Sequence, residues 1–238
     1  MKRSDTHTIL YSLAFFASAM LANASTIINP NTPTSNIAAN AGSSLNFLVG
    51  GTADDGGSSL TFDSSSTTLA TGTDASIALA TSHALDSIDG SYVTPTTGSN
   101  TNYFDSGTPP ILTFTLDQVY DNIDSVILWN YSHDNEANLT KDFTITFFSD
   151  TGASNQVGIV ESGQMALRDG AATSVAAEQF TFDATYSGIQ SFTITLASNW
   201  NGNRVGLSEV RLTQIPEPQT FALLAGFCAL GLAMLRRR

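Results

Sequence analysis

The sequence predicts an all-β body, a two-sheet sandwich, set between two terminal segments of different character. Three observations point there. Apolar residues alternate with polar ones at a period of two in several runs, most cleanly Pro110–Leu116 (PILTFTL), Asp142–Ser149 and Ser191–Leu196. Nowhere between residues 25 and 214 does a helical period persist over three turns. Clusters of Gly, Asn, Asp, Ser and Thr separate the runs, as turns require.

The first 24 residues stand apart. Lys2 and Arg3 precede an apolar run from Ile9 to Leu21, followed by Ala22-Asn23-Ala24. A basic start, an apolar run of about a dozen residues and small side chains at the cut site are the marks of a secretory signal peptide. Cleavage is expected after Ala24, with signal peptidase as the partner.

Within the body, Thr26–Asn29 reads as a short edge strand. Leu45–Val49 and Leu60–Phe62 read as strands either side of the loop Gly50–Ser59, and Ala75–Ala80 as a further one. Thr32–Ser44 is weak enough in pattern to allow disorder. Thr81–Pro110 is a long irregular stretch of the kind that serves function more often than linkage. Val126–Tyr131 is apolar on both faces, and its Trp129 marks a central buried strand. Gln156–Val160, Glu178–Phe182 and Leu207–Thr213 complete the set, with at most a short helix in Ser162–Ala177. Phe114, Phe143 and Phe192 are expected on the inner faces.

Residues 215–238 form the other terminal segment. Pro216-Glu217-Pro218 precedes the apolar run Thr220–Leu235, which ends in Arg236, Arg237 and Arg238. The prolines disfavour helix across themselves, so a hydrophobic helix is expected after them. Its length is near the lower limit for a bilayer core of about 30 Å, and the arginines would stay on the cytoplasmic side.

Residues 25–214 carry 4 Lys/Arg against 19 Asp/Glu, a formal charge of −15. Such a body is a poor partner for nucleic acid, whose backbone is bound by Lys and Arg. The single cysteine, Cys228, lies in the tail, which removes disulfides and thiolate chemistry from the body. His83 and His133 are its only histidines, and the adjacent Ser132 and His133 cannot aim a hydroxyl at a ring nitrogen. There is no phosphate loop, zinc-protease helix or dinucleotide fingerprint. No enzymatic activity is expected.

The tail resembles the PEP-CTERM sorting signal of Gram-negative bacteria, carried here by Pro216, Glu217 and Pro218, the apolar run, and Arg236, Arg237 and Arg238. The resemblance implies recognition by a membrane exosortase while the tail holds the chain in the inner membrane. Removal of the tail and release to the cell surface or extracellular matrix would follow, commonly beside exopolysaccharide.

The body resembles discoidin-like, or coagulation factor 5/8 type C-like, domains of the galactose-binding-like superfamily. The carriers, in order, are ALDSIDG (Ala84–Gly90), PILTFTL, IDSVILWNY (Ile123–Tyr131), KDFTITFFS (Lys141–Ser149) and VGLSEVRL (Val205–Leu212). The resemblance implies a jelly-roll β-sandwich spanning residues 25–214 that binds and does not catalyse. It also implies a structural calcium ion held by Asp89 and Glu209, with Ala84, Ser87 and Thr94 supplying further oxygens, a set that suits a hard cation. Read as residues alone, Asp89-Gly90 is a turn and Glu209 a strand residue.

Tyr92, Tyr103 and Trp200 sit in loop-like contexts near Asn201 and Arg204, where a ring could stack on a sugar while polar groups bond its hydroxyls. The body lacks the cluster of arginines or histidines of many sugar-binding relatives. The expected role is therefore that of an exported surface or matrix protein, structural or adhesive, beside exopolysaccharide. The alternative is a carbohydrate-binding module that recognises secreted or cell-wall glycan.

Overall fold

In the computed structural model, residues 24–49, 69–85, 91–98, 101–133 and 135–216 are described. Eleven strands occur among them: β1 (Thr26–Ile28), β2 (Thr34–Ser35), β3 (Ser82–Ala84), β4 (Tyr92–Val93), β5 (Ile111–Tyr120), β6 (Ile123–Asn130), β7 (Asp142–Phe148), β8 (Gln156–Gln164), β9 (Ser174–Tyr186), β10 (Ile189–Leu196) and β11 (Gly206–Gln214). One sheet runs β1-β11-β6-β9-β3, with β4 also paired to β11, and the other runs β2-β5-β10-β7-β8. Every pairing of these strands is antiparallel. The chain changes sheet at β5–β6, β6–β7, β8–β9, β9–β10 and β10–β11, so the sheets cannot be assembled separately.

The alternating runs form strands because one face of each is buried. In β7 the burial strictly alternates, with Phe143, Ile145 and Phe147 inside. Phe192 of β10 lies opposite Phe114 of β5 and Phe147 of β7. The Phe114 and Phe192 rings stack with centroids 4.7 Å apart. Phe143 and Phe147 meet Phe180 and Phe182 of the facing sheet edge-on at 4.8 Å and 5.2 Å. These offset and edge contacts are the arrangements that the ring quadrupole favours.

β6 is buried along both faces. Its inner residues Val126 and Leu128 join the core between the sheets, while Ile127 and Trp129 join a second cluster with Ile27, Leu69, Ala75 and Ala78. That cluster lies under α1 (Ala75–Leu79), a stretch expected to be a strand. Asp74 caps it, its carboxylate accepting from the Ser76 N–H at 2.8 Å, and a short apolar run cannot reveal this from periodicity.

Leu45–Val49 is likewise a 3-10 helix instead of the expected strand, turning Phe47 and Leu48 inward. Thr34–Ser35 pairs with β5 inside the stretch that allowed disorder. The expected irregular stretch holds β3, β4 and a 3-10 turn at Tyr103–Asp105, and Ser162–Ala177 contributes strand ends instead of helix. At Gly158 the backbone has φ of +70°, and an added Cβ would lie 2.4 Å from the Tyr186 ring. That position in β8 requires glycine.

Leu60–Phe62, the loop Gly50–Ser59, the signal segment to residue 23 and the tail from Glu217 lie outside the described residues. Among the described residues no helix is long and apolar enough to cross a membrane.

Phe192→Ala should cost about 3–5 kcal/mol in denaturant unfolding, because it opens a cavity across three strands. Ile111, 40% exposed at the start of β5, should cost under about 0.5 kcal/mol when cut to Ala. Equal losses would contradict the placement of the core.

Candidate functional site

At one end of the sandwich β6, β8 and β10 finish and β5, β7, β9 and β11 begin. Thr26 of β1 pairs with Gln214 at the other end. Four connections meet there, residues 101–110, 131–141, 165–173 and 197–205, and they are tied to one another. The Tyr103 N–H donates to the Gly202 carbonyl, and the Gly202 N–H to the Ala137 carbonyl, each at 2.8 Å. A Cβ on Gly202 would fall 2.4 Å from the Ala137 carbonyl, so this crossing needs the bare backbone. The Arg204 N–H donates to Asn138 Oδ1 at 3.1 Å, and the Lys141 N–H to the Ser198 carbonyl at 2.9 Å.

The 197–205 connection is held from within by buried Asn199, whose amide donates to the Gly202 and Arg204 carbonyls at 2.7 Å. This leaves Trp200 half-buried at the surface. The Lys141 ammonium lies 5.1 Å from its ring centroid, within the range of cation–π attraction. The Trp200 Nε1 has no hydrogen-bond partner among the described residues. Asn201 is exposed, with φ of 72°, and its Oδ1 accepts from Asn102 Nδ2 at 3.2 Å. Arg204 is half-buried and forms no ion pair among the described residues.

On the other side of the 131–141 connection a cavity of about 300 Å³ opens. Leu139, Leu167 and Val175 give it apolar walls, and Arg168, Asp169 and Glu178 give it charge. Arg168 acts as a clamp, donating to the Ala172 carbonyl at 2.7 Å and the His133 carbonyl at 3.3 Å, with Glu136 at 3.7 Å. Burial pushes the Glu178 carboxyl above its usual range, opposed by the Ala166 N–H that it accepts at 3.0 Å. Apolar walls with a few placed polar groups, on a rigid support, suit a small ligand or one sugar unit of a chain.

Of the residues expected here from sequence, Trp200, Asn201 and Arg204 come together. Tyr92 and Tyr103 do not present their rings to solvent, which corrects that expectation. Tyr92 is fully buried in β4, its hydroxyl donating to the Ile37 carbonyl at 3.1 Å, and burial pushes its phenol up to about 12. Tyr103 is 3% exposed and its hydroxyl donates to the Thr108 carbonyl at 2.9 Å. Lys141, Arg168, Leu167 and Glu178 escaped notice. The scarcity of cations in so acidic a body is the signal that could have pointed to the first two.

The expected calcium ligands are only partly within the described residues. Ser87 and Asp89 lie outside the described residues, and Ala84 ends β3 opposite Ser174. Thr94 is buried, its hydroxyl accepting from the Val205 N–H at 3.1 Å. Glu209 is fully buried on the outer face of its sheet, where its Oε2 lies 2.8 Å from His83 Nε2 and its Oε1 against the Arg211 guanidinium. Burial lowers the Arg211 pKa and the Glu209 charge opposes that shift. With a guanidinium and an imidazole already on its two oxygens, Glu209 in this arrangement does not fit a calcium shell. No group of three or more His, Cys, Asp or Glu among the described residues is placed to hold a metal ion.

Arg211→Met should therefore destabilise by about 3–5 kcal/mol, since it strands a buried carboxylate. Adding Glu209→Gln should recover much of that loss. Chelator should leave the wild-type melting temperature unchanged. A fall on chelation that calcium reverses would return Glu209 to a metal site.

No protein-family model matches the chain, and no curated protein does. Solved structures with which it is similar include the F5/8 type C domain of a Bacteroides fragilis protein, at 13% identity and a TM-score of 0.40, covering 52% of this chain and 73% of that one. The family 32 carbohydrate-binding module of C. perfringens NanJ, solved with galactose, is 12% identical with a TM-score of 0.46, covering 80% of this chain and 99% of that one. Two such modules of Clostridium perfringens ZmpB, solved with GalNAc, are 10% identical with a TM-score of 0.47, covering 87% of this chain and 40% of theirs.

Proposed function

We propose that this chain is an exported, non-catalytic protein whose sandwich holds a glycan at the end where the four connections meet. The half-buried Trp200 ring carries the reading. It sits in a connection braced by Asn199 and Gly202, so the part of the indole that reaches solvent is held at little cost in ordering. Exposed Asn201 beside it can bond sugar hydroxyls, and the nearby cavity can take a further sugar unit.

Titration of the full-length protein against a glycan array and the producing organism's own exopolysaccharide tests this. Trp200→Ala should weaken binding about tenfold or more, and Trp200→Tyr, which keeps a stacking face, should restore most of it. A second reading, a self-associating matrix unit, is favoured by Ile159 and Val160, which are 57% and 49% exposed on edge strand β8. Blank glycan titrations together with concentration-dependent sedimentation would select it.

The terminal segments add an address. In this reading signal peptidase removes residues 1–24, and an exosortase acts near Pro216, Glu217 and Pro218 while the apolar run sits in the inner membrane of a Gram-negative cell. Mass spectrometry of the surface or released form should find neither the signal segment nor Arg236, Arg237 and Arg238. A mature form that keeps the arginines would contradict the sorting reading.

A further inference from the structure

The body has four basic residues, Lys141, Arg168, Arg204 and Arg211, in a formal charge of −15. Two of them are spent internally. Arg211 is 2% exposed and pairs with Glu209, and the Arg168 side chain is 6% exposed and clamps two connections. The two left facing solvent, Lys141 and Arg204, lie at the same end of the sandwich. Lys141 begins the segment leading into β7 and stands over the Trp200 ring, while Arg204 closes the connection that carries Trp200. Among the described residues neither forms an ion pair. The neighbouring Asp142 is turned to Ser198 and Gln164, whose hydrogen bonds hold its carboxyl below the usual range, with a lesser contribution from the Lys141 charge.

We infer that the glycan held at this end is anionic, a polymer of sugars bearing carboxylate or sulfate groups. The inference rests on the glycan-binding reading above and names its ligand class. A neutral sugar needs no cation, and in this body cations are rare enough for their placement to matter. Lys141 over the Trp200 ring and Arg204 in the same connection match a pyranose ring at Trp200 with its acidic group reaching an ammonium or guanidinium. Such charge-assisted bonds are stronger than neutral ones. Over a Debye length of about 8–10 Å the acidic body repels a polyanion, so the local charge of Lys141 and Arg204 is what favours its approach at this end. Two half-buried cations are too few for a nucleic-acid backbone.

Full-length protein is titrated with polygalacturonate, a sulfated galactan, a neutral galactan and a single-stranded oligonucleotide, each at low and high salt. Binding to one or both acidic polymers is expected, weakening as salt rises, with little for the neutral galactan or the oligonucleotide. Which acidic polymer binds separates carboxylate from sulfate. Lys141→Gln and Arg204→Gln should each weaken it about tenfold without moving the melting temperature, and Lys141→Arg should preserve it. Salt-insensitive binding to neutral galactan alone, with the glutamine variants unaffected, overturns this inference and leaves the glycan reading standing. Equal binding to the oligonucleotide reduces the site to bare charge and also overturns it. Failure to bind any glycan removes both.

Discussion

The stacked and edge-on phenylalanines between the sheets are the contact on which the rest depends. Phe192 touches its neighbours on both flanking strands, and Phe143 and Phe147 reach across to β9. Because the chain changes sheet five times between β5 and β11, any slip in one strand would turn its aromatic set outward and misplace the partner sheet. The register fixed by this core places the ends of seven strands at one level. The connections there then need only short backbone bonds, such as those through Gly202, to become a defined surface.

The outer face of the six-stranded sheet is solved differently. Here β6 and β11 are covered, so charge that elsewhere would be hydrated is buried. Glu209, Arg211 and His83 answer one another, and His83 also meets Trp129 edge-on with centroids 5.8 Å apart. Nearby, the Ser91 hydroxyl lies 2.8 Å and 2.7 Å from those of Ser132 and Ser208. Removing one member of such a network costs more than replacing all of it, because an unpaired buried polar group loses its solvation without recompense. These contacts tie β3, β11 and the entry to β4 together.

Much of the architecture was legible in sequence. Strands with one wet and one dry face announce themselves, as in β7 and β10, and Trp129 was rightly read as central. Short apolar runs were not legible. LNFLV and ASIAL fit a strand or a turn of helix equally well until the Asp74 cap and the buried Phe47 decide. Around the proposed site, Trp200, Asn201 and Arg204 could be grouped in sequence because one connection carries them all. Lys141 lies 59 residues earlier in the chain than Trp200, and His83 lies 126 residues before Glu209. Pairings at that distance follow from topology, which no local pattern encodes. Tyr92 and Tyr103 misled for a related reason, since irregular sequence around an aromatic can pack it as an anchor as readily as expose it.

The central claim is that the loop end around Trp200 is the binding face while the aromatic core stays unchanged. The chain contains two tryptophans, fully buried Trp129 and half-buried Trp200, so their indole N–H signals in a nitrogen-15 NMR spectrum report core and site separately. On titration with an oligosaccharide that the protein retains, the Trp200 signal should shift and the Trp129 signal should stay in place. A shift at Trp129 alone, or saturation with neither signal moved, would contradict the account.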